Sequence, residues 1–382
     1  MKINNLYIQN YFLIVVLWLF YLVEALNKLF IFHYNFNSPI VKVVKVIIVL
    51  FALFAILKNG TVSKQRLYFV ALMPLFFSIG QANLDPSFNE VVTLNFFRYL
   101  FPIVLLLYVN EFRIGINFRN LLFRNFEKIV FFNSVLIICG LVFGIHYFKT
   151  YPGTRFGYNG LLVTSATSTY FYAITVVYYL FRYSIALFNS TYRIIVFVSI
   201  LFVGTKSLYL FFALIFIIYA LLYAPRRFKI LFFSFSLMTL LFFYYFFIEM
   251  KDFSDIDFMG SISSSRTLIL KELMLPFINE NWGIQNYLFG GINNIVSRPQ
   301  MGVFDMFYFL GIIGTIFYLW IFKTSYFVFK VTPIQMICFI IIGLTIFVSG
   351  NFFLNTSVVI YLLIMREFLW STSDDNMTKS IS

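Results

Sequence analysis

The sequence predicts an all-α, polytopic integral membrane protein of about twelve transmembrane helices with one large outer loop, and three observations predict it. The 382-residue chain is 61% hydrophobic and 11% charged, with a mean hydropathy of +0.89, whereas a water-soluble chain carries about 25% charged residues. Its apolar residues fall in successive runs near the ~20 residues that a helix needs to cross a hydrocarbon core. Its basic residues gather in alternate connections between those runs, the pattern that orients membrane helices. The same composition excludes a disordered chain, a collagen-like fibre and a disulfide-stapled secreted domain.

Taken in order, the predicted spans are residues 7–23, 40–57, 67–82, 96–109, 129–148, 165–181, 194–204, 207–223, 230–248, 304–322, 334–350 and 352–369, the fourth and seventh being short. The first apolar run ends at Glu24 with no small-residue cleavage site, which predicts a retained span and not a removed signal peptide. With the amino terminus inside, the inner side comprises the connections 58–66, 110–128, 182–193, 226–229 and 323–333, the tail after Trp370, Lys2, and the pair Arg366-Glu367. It holds 17 of the 28 basic residues and 5 of the 15 acids. Both termini are therefore expected to be cytoplasmic. The chain divides into helices one to nine (1–248), the outer loop (249–303), three further helices (304–370) and a tail (371–382).

The 55-residue loop 249–303 far exceeds the ~12–15 residues beyond which an unstructured connection becomes uncommon. Ser263 and Ser265 offer an N-cap ahead of the helical pattern Leu268, Leu270, Leu273 and Met274, and Gly290-Gly291 marks a turn. No internal repeat is visible, so the inverted-repeat architecture of many transporters has no support.

The net charge of +13 is scattered through connections and does not cover one polar face, which points to orientation and away from a nucleic-acid partner. Cys139 and Cys338 sit in apolar runs, and His33 and His146 are isolated near outer boundaries. With no CxxC or HExxH pattern, no metal site and no cofactor are expected. Gly204-Thr205-Lys206-Ser207 mimics the end of a phosphate-binding loop but lacks the glycine before its lysine. Gly140 and Gly144 form a GxxxG that reads as helix packing.

The informative residues are cations on the outer side, where orientation does not ask for them: Arg98, Arg155, Lys206, Arg266 and Arg298. A charge deep in a bilayer costs about 2.5–3.5 kcal/mol on insertion scales, so cations kept there have partners. If several converge, the fitting partner is an anion, and guanidinium forks match phosphate oxygens. Each also has a plainer reading: Arg98 snorkelling to the interface, Lys206 a topological stop, Arg266 surface solvation. Arg155 lies among glycines that let a ligand approach the backbone. Asp305, at the mouth of the tenth span, reads equally as a general base or as a carboxylate at its helix N-terminus. Asp252, Asp255 and Asp257 read as a solvated loop edge whose spacing only weakly resembles a cation-ligand set.

In this order, Arg155 with Gly157 and Gly160, Gly204-Thr205-Lys206, Arg266 with Leu270, Tyr287-Leu288-Phe289-Gly290-Gly291, and Asp305 with Gly311 and Gly314 resemble the O-antigen polymerase (Wzy) family, within the O-antigen ligase and polymerase superfamily. The resemblance implies a glycosyltransferase that joins oligosaccharide repeat units carried on undecaprenyl pyrophosphate at the periplasmic face of the bacterial inner membrane. It implies catalytic roles for Arg155, Arg266 and Asp305, and contacts to pyrophosphate or glycan from Arg98, Lys206, Arg298 and Tyr287. Trp282 and Tyr287 are candidates to stack on sugar rings. The implied partners are the lipid-linked oligosaccharide, membrane lipid and a chain-length regulator protein.

Three alternatives are weighed against this reading. A ligase of the same superfamily relies on a histidine late in its outer loop, and residues 249–303 contain none. A lipid-linked oligosaccharide flippase, which is not an enzyme, calls for two related halves and short loops throughout. A small-solute transporter would want polar residues at mid-membrane, where these runs are almost purely aliphatic and aromatic.

Overall fold

A computed structural model describes the chain apart from residues 1, 37, 60–63, 85–89, 113, 152, 154, 184–185, 187–188, 223–225, 252–265, 296–297 and 380–382. Arg113, the Asp252, Asp255 and Asp257 string, and the expected cap residues Ser263 and Ser265 therefore lie outside the described residues. Among the described residues the chain is helical with no strand, save one isolated antiparallel bridge between Lys149 and Tyr158.

The helices are α1 (Lys2–Tyr34), α2 (Ile40–Asn59), α3 (Lys64–Ala82), α4 (Glu90–Glu111), α5 (Ile116–Phe143), α6 (Ser165–Tyr183), α7 (Thr191–Leu201), α8 (Lys206–Leu222) and α9 (Arg226–Lys251). Within the outer-loop region, α10 covers 266–281 as Arg266–Ile269, a π-turn Leu270–Met274 and Leu275–Asn281, and α11 is Ile284–Phe289. Then come α12 (Val303–Tyr326), α13 (Pro333–Ser349) and α14 (Thr356–Lys379). The π-turn falls just before Pro276, whose missing amide interrupts the α-helical ladder.

Among the described residues five stretches are long and apolar enough to cross a membrane: Asn10–Tyr34, Ile40–Lys58, Glu90–Glu111, Ile116–Phe143 and Val303–Tyr326. Shorter apolar helices join them, and together they are compatible with a multi-pass membrane protein. α6 and α14 are less apolar for a physical reason: both are shielded by protein. Every residue from Thr167 to Leu180 and from Thr356 to Trp370 is buried, so lipid is not their neighbour. α2, by contrast, is mostly exposed along its length, at Val43, Val46, Ile47 and Leu50 among others.

α1 and α5 extend well beyond their predicted limits, and each turns inward a charge that looked like part of a boundary. α1 continues through Glu24 to Tyr34, with Glu24 and Lys28 buried against α14 and the loop after α5. α5 starts at Ile116, so Arg119, Arg124 and Lys128 stand on a helix instead of in a connection, with Arg124 and Lys128 exposed on it. Arg119 turns inward to Glu367 at 3.4 Å. In the GxxxG of α5 only Gly140 packs closely, against Phe148 and Tyr158; Gly144 ends the helix at φ 64° and donates its amide to the Gly140 carbonyl.

α4, α6, α12 and α14 run in one direction, which gives the bundle two distinct ends. One end is closed by ions. Arg366, fully buried, donates to Glu367 (2.6 Å), to the Tyr326 carbonyl (3.2 Å) and to Asn110, whose amide donates to the Ser325 carbonyl (2.9 Å). Trp370 lies 5.2 Å from both the Arg119 and the Arg366 guanidinium. Glu367→Gln removes the carboxylate on which both arginines close, and breaking a buried pair this way costs about 3–5 kcal/mol. A large fall in the thermal midpoint of the purified protein is the expected result.

Glycines set the other end. α12 breaks at Gly311 (φ 64°, ψ −169°), where the backbone of Leu288 and Gly290 fills the space a side chain would take. Gly80 of α3 receives the Gly290 carbonyl, so three glycines bring α3, α11 and α12 into backbone contact. Gln81 completes this junction, donating to the Ile292 carbonyl (2.8 Å) and accepting from the Ile292 amide (3.1 Å). Gly311→Ala forces a side chain into that contact at a left-handed φ, a strain of order 1–3 kcal/mol before the clash is counted. Reduced membrane accumulation or a lowered midpoint tests it.

Candidate functional site

The loop between α5 and α6 carries Arg155. Its arms are tied by the Thr150 amide to the Gly157 carbonyl (2.8 Å) and the Asn159 amide to the Phe148 carbonyl (2.9 Å). It docks on the turn before α8: the Tyr158 amide donates to the Phe202 carbonyl (2.7 Å) and the Thr150 hydroxyl to the Val203 carbonyl (2.8 Å). Gly157 (φ 142°) and Gly204 (φ 75°) meet face to face, and a Cβ on Gly204 would lie 2.6 Å from the Gly157 Cα. Two motifs well separated in the chain therefore form one unit. At its tip the Arg155 guanidinium lies 3.7 Å from the centre of the Tyr151 ring, while its buried Nε makes no hydrogen bond.

Arg298 enters from the segment before α12. Its Nη2 donates to Asn351 Oδ1 (2.8 Å), and the Asn351 amide donates to Gln300 Oε1 (2.9 Å). Gln300 and Asn351 both hold positive φ, at 58° and 57°, and the Gln300 carbonyl presses on Gly350. The Tyr170 hydroxyl of α6 donates to the Gly350 carbonyl (2.7 Å). The Arg298 anchor is thus a backbone-shaped junction of α6, α13 and the loop before α12. Its Nε and Nη1 are shut off from solvent with no hydrogen-bond partner.

Asp305 stands in the first turn of α12, 1% exposed. The backbone amides of Gln300 and Met301 stand close, but neither carboxylate oxygen makes a hydrogen bond of good geometry. The charges of Arg298 and Arg266 both act on it. Arg266, at the start of α10, also faces Tyr170, Tyr151 and Arg298. Burial pulls its guanidinium below the ordinary value, and Tyr170, Asp305 and Tyr151 oppose that pull. Burial likewise pushes the Tyr151 phenol up, opposed by Arg155 beside it. Arg98, exposed on α4, donates to Asn95 Oδ1 (3.0 Å) and feels the Arg298 charge.

Arg98, Arg155, Arg266 and Arg298 therefore gather with Asp305, each interacting with at least one other or with the Tyr151 ring between them. Among the described residues four guanidiniums stand against one carboxylate, a strongly positive set. Buried polar groups are nearly always paired, so open positions on Arg155, Arg298 and Asp305 are the places where a ligand would complete the hydrogen bonding. Oxygen-rich anions suit the arginines; a hydroxyl suits the carboxylate.

Two further predicted residues sit differently. Lys206 is buried at the first turn of α8, below the Gly157–Gly204 contact, and the adjacent Thr205 hydroxyl accepts from Thr169 (3.0 Å). Tyr287 lies on α11 and packs edge-on against Trp282 at 5.4 Å; Trp282 in turn stacks on Tyr308 of α12 at 5.9 Å and donates to the Gly291 carbonyl (3.1 Å). That aromatic set adjoins the turn of α12 after Asp305.

Tyr99, Tyr170, Gln300 and Asn351 are not among the residues the sequence reading picks out. Tyr99 is fully buried on α4 and feels both Asp305 and Arg298. Two tyrosines among 26 do not stand out, whereas Gly350-Asn351, between two apolar runs, is a signal that could have been read. Among the described residues no group of His, Cys, Asp and Glu has the arrangement of a metal site. No protein-family model, curated protein or solved structure matches the chain.

Proposed function

We propose that the protein is a polysaccharide polymerase of the O-antigen type, joining oligosaccharide repeat units carried on undecaprenyl pyrophosphate at the periplasmic face of the bacterial inner membrane. In this reading the chain crosses about twelve times with both termini cytoplasmic, and residues 249–303 form the periplasmic loop. The observation that carries the proposal is buried Asp305 facing Arg298 and Arg266 at one end of the helix bundle, with Arg98 beside Arg298 and Arg155 on the Tyr151 ring that Arg266 also faces.

The chemistry follows from that charge pattern. The anomeric carbon of the growing chain is bonded to a pyrophosphate oxygen. A hydroxyl of the next lipid-linked unit attacks that carbon, its proton passes to a carboxylate oxygen of Asp305, and the carbon–oxygen bond to pyrophosphate breaks with both electrons leaving on the phosphate. One displacement inverts the anomeric centre and needs one base. The leaving group gains negative charge, which Arg298 and Arg266 stabilise from positions already fixed by protein contacts, with Arg155 held on Tyr151 beside them. Such preorganised donors are worth about 2.7–4 kcal/mol each in comparable settings. Arg98 and Lys206 add positive field, and Trp282 with Tyr287 offers a surface for sugar rings.

The test is the length of polysaccharide in cells lacking the gene. Single repeat units attached to the lipid core, with long chains restored by the wild-type gene, support the reading. Loss of even the single-unit product assigns the protein to flipping or ligation and overturns it.

A further inference from the structure

We propose that Lys28 is the positioning residue that fixes the Arg155 loop to the helix bundle; the inference rests on the role given to Arg155 above. Lys28 lies on α1, far from the arginine cluster in sequence, and is buried. Its ammonium donates to the side-chain oxygen of Asn159, to the Gly160 carbonyl at 2.6 Å and to the Lys149 carbonyl at 3.3 Å. A lysine has three N–H groups, and all three are used on one loop. Lys149 begins that loop and Asn159-Gly160 ends it, so a single charge clamps both arms, with Arg155 between them at the tip.

The surrounding contacts make the clamp specific. Asn133 of α5 donates to the Asn159 carbonyl (3.1 Å) and accepts from Tyr21 (3.2 Å) and from the Leu161 amide (2.9 Å). Gly160 holds φ 64°, and Asn133 occupies the space a side chain there would take. Glu24, one helical turn before Lys28, accepts from Ser357 of α14, which sets the rotation of α1 that aims Lys28 at the loop. Tyr21, Glu24 and Lys28 form one polar face on an apolar helix, and each reaches a different element. A cation buried with three acceptors and no carboxylate among them acts by geometry: it holds carbonyls that belong to the loop backbone.

The experiment measures amide hydrogen exchange across residues 149–160 in the purified protein in lipid nanodiscs, alongside polymer formation in cells. Lys28→Met leaves the loop acceptors buried and unpaired, and exchange there is expected to rise about tenfold or more, the scale of one lost charged hydrogen bond. Asn159→Asp gives Lys28 a carboxylate to hold and keeps wild-type protection. Combined with Lys28→Met, the same Asn159→Asp change leaves a lone buried carboxylate and gives the fastest exchange of the set. In cells, Lys28→Met in an Arg155→Ala background adds little further loss, because the clamp acts through Arg155. Equal exchange in Lys28→Met and wild type overturns the proposal, as does additivity with Arg155→Ala. Full polymer from Arg155→Ala would instead overturn the catalytic reading and leave the exchange result to stand by itself.

Discussion

Asp305→Asn is expected to reduce polymerisation by about 10²–10⁴-fold, the usual contribution of a positioned general base, with the protein still accumulating in the membrane. The asparagine has the same shape, and neither oxygen of Asp305 holds a structural hydrogen bond of good geometry that the change would break. A carboxylate left open beside Arg298 and Arg266 is an arrangement for accepting a proton from a ligand, and the amide removes that capacity together with the negative charge while keeping the shape. Chain length in cells complemented with this variant, normalised to membrane protein, checks the effect. Wild-type chain length would assign Asp305 to favourable charge at the α12 N-terminus, the other reading of its position.

Arg298→Ala and Arg298→Lys are both expected to cost about 10²–10³-fold, the scale measured when one preorganised donor to a developing anion is removed. The lysine variant is the informative one. Arg298 divides its fork: Nη2 is held by Asn351 while Nε and Nη1 stay open. An ammonium cannot be gripped on one side and present a planar pair of donors on the other. If charge alone mattered, the Arg298→Lys variant would retain most activity; the geometry predicts that it does not. Asn351→Ala should reproduce a milder form of the same defect, since it frees the guanidinium without removing it.

The site was legible in the sequence to the extent that it is built from charge. Arg98, Arg155, Arg266, Arg298 and Asp305 stand out because each is an ion where lipid-facing sequence and orientation do not require one. Gly350-Asn351 stands out between two apolar runs, but which group each support holds was not legible, because support joins positions far apart in the chain. Asn351 lies 53 positions from the arginine it holds, and Gly350 lies 180 from the tyrosine that bonds it. No periodicity links such pairs.

Helix limits failed for a related reason. A charge ends an apolar run only when it faces water, yet Glu24 faces Ser357, 333 positions away, and Arg119 faces Glu367. The same holds in reverse for α6 and α14, whose polar residues are tolerated because protein surrounds them. Glycine spacing was partly misleading. Gly140 and Gly144 share a motif but serve different ends, one yielding room to Tyr158 and the other turning the chain. The paired glycines at 290–291 end α11 at positive φ, and what spacing alone could not reveal was their partner, the break in α12 at Gly311.

The most direct test of the central claim is polymerisation by the purified protein in nanodiscs, supplied with one undecaprenyl-pyrophosphate-linked repeat unit and no other protein. The account predicts a ladder of lengthened lipid-linked glycans with one undecaprenyl pyrophosphate released for each linkage formed, and loss of both with Asp305→Asn. Unchanged single units from well-folded protein, or lengthening that Asp305→Asn and Arg298→Ala leave intact, would contradict it.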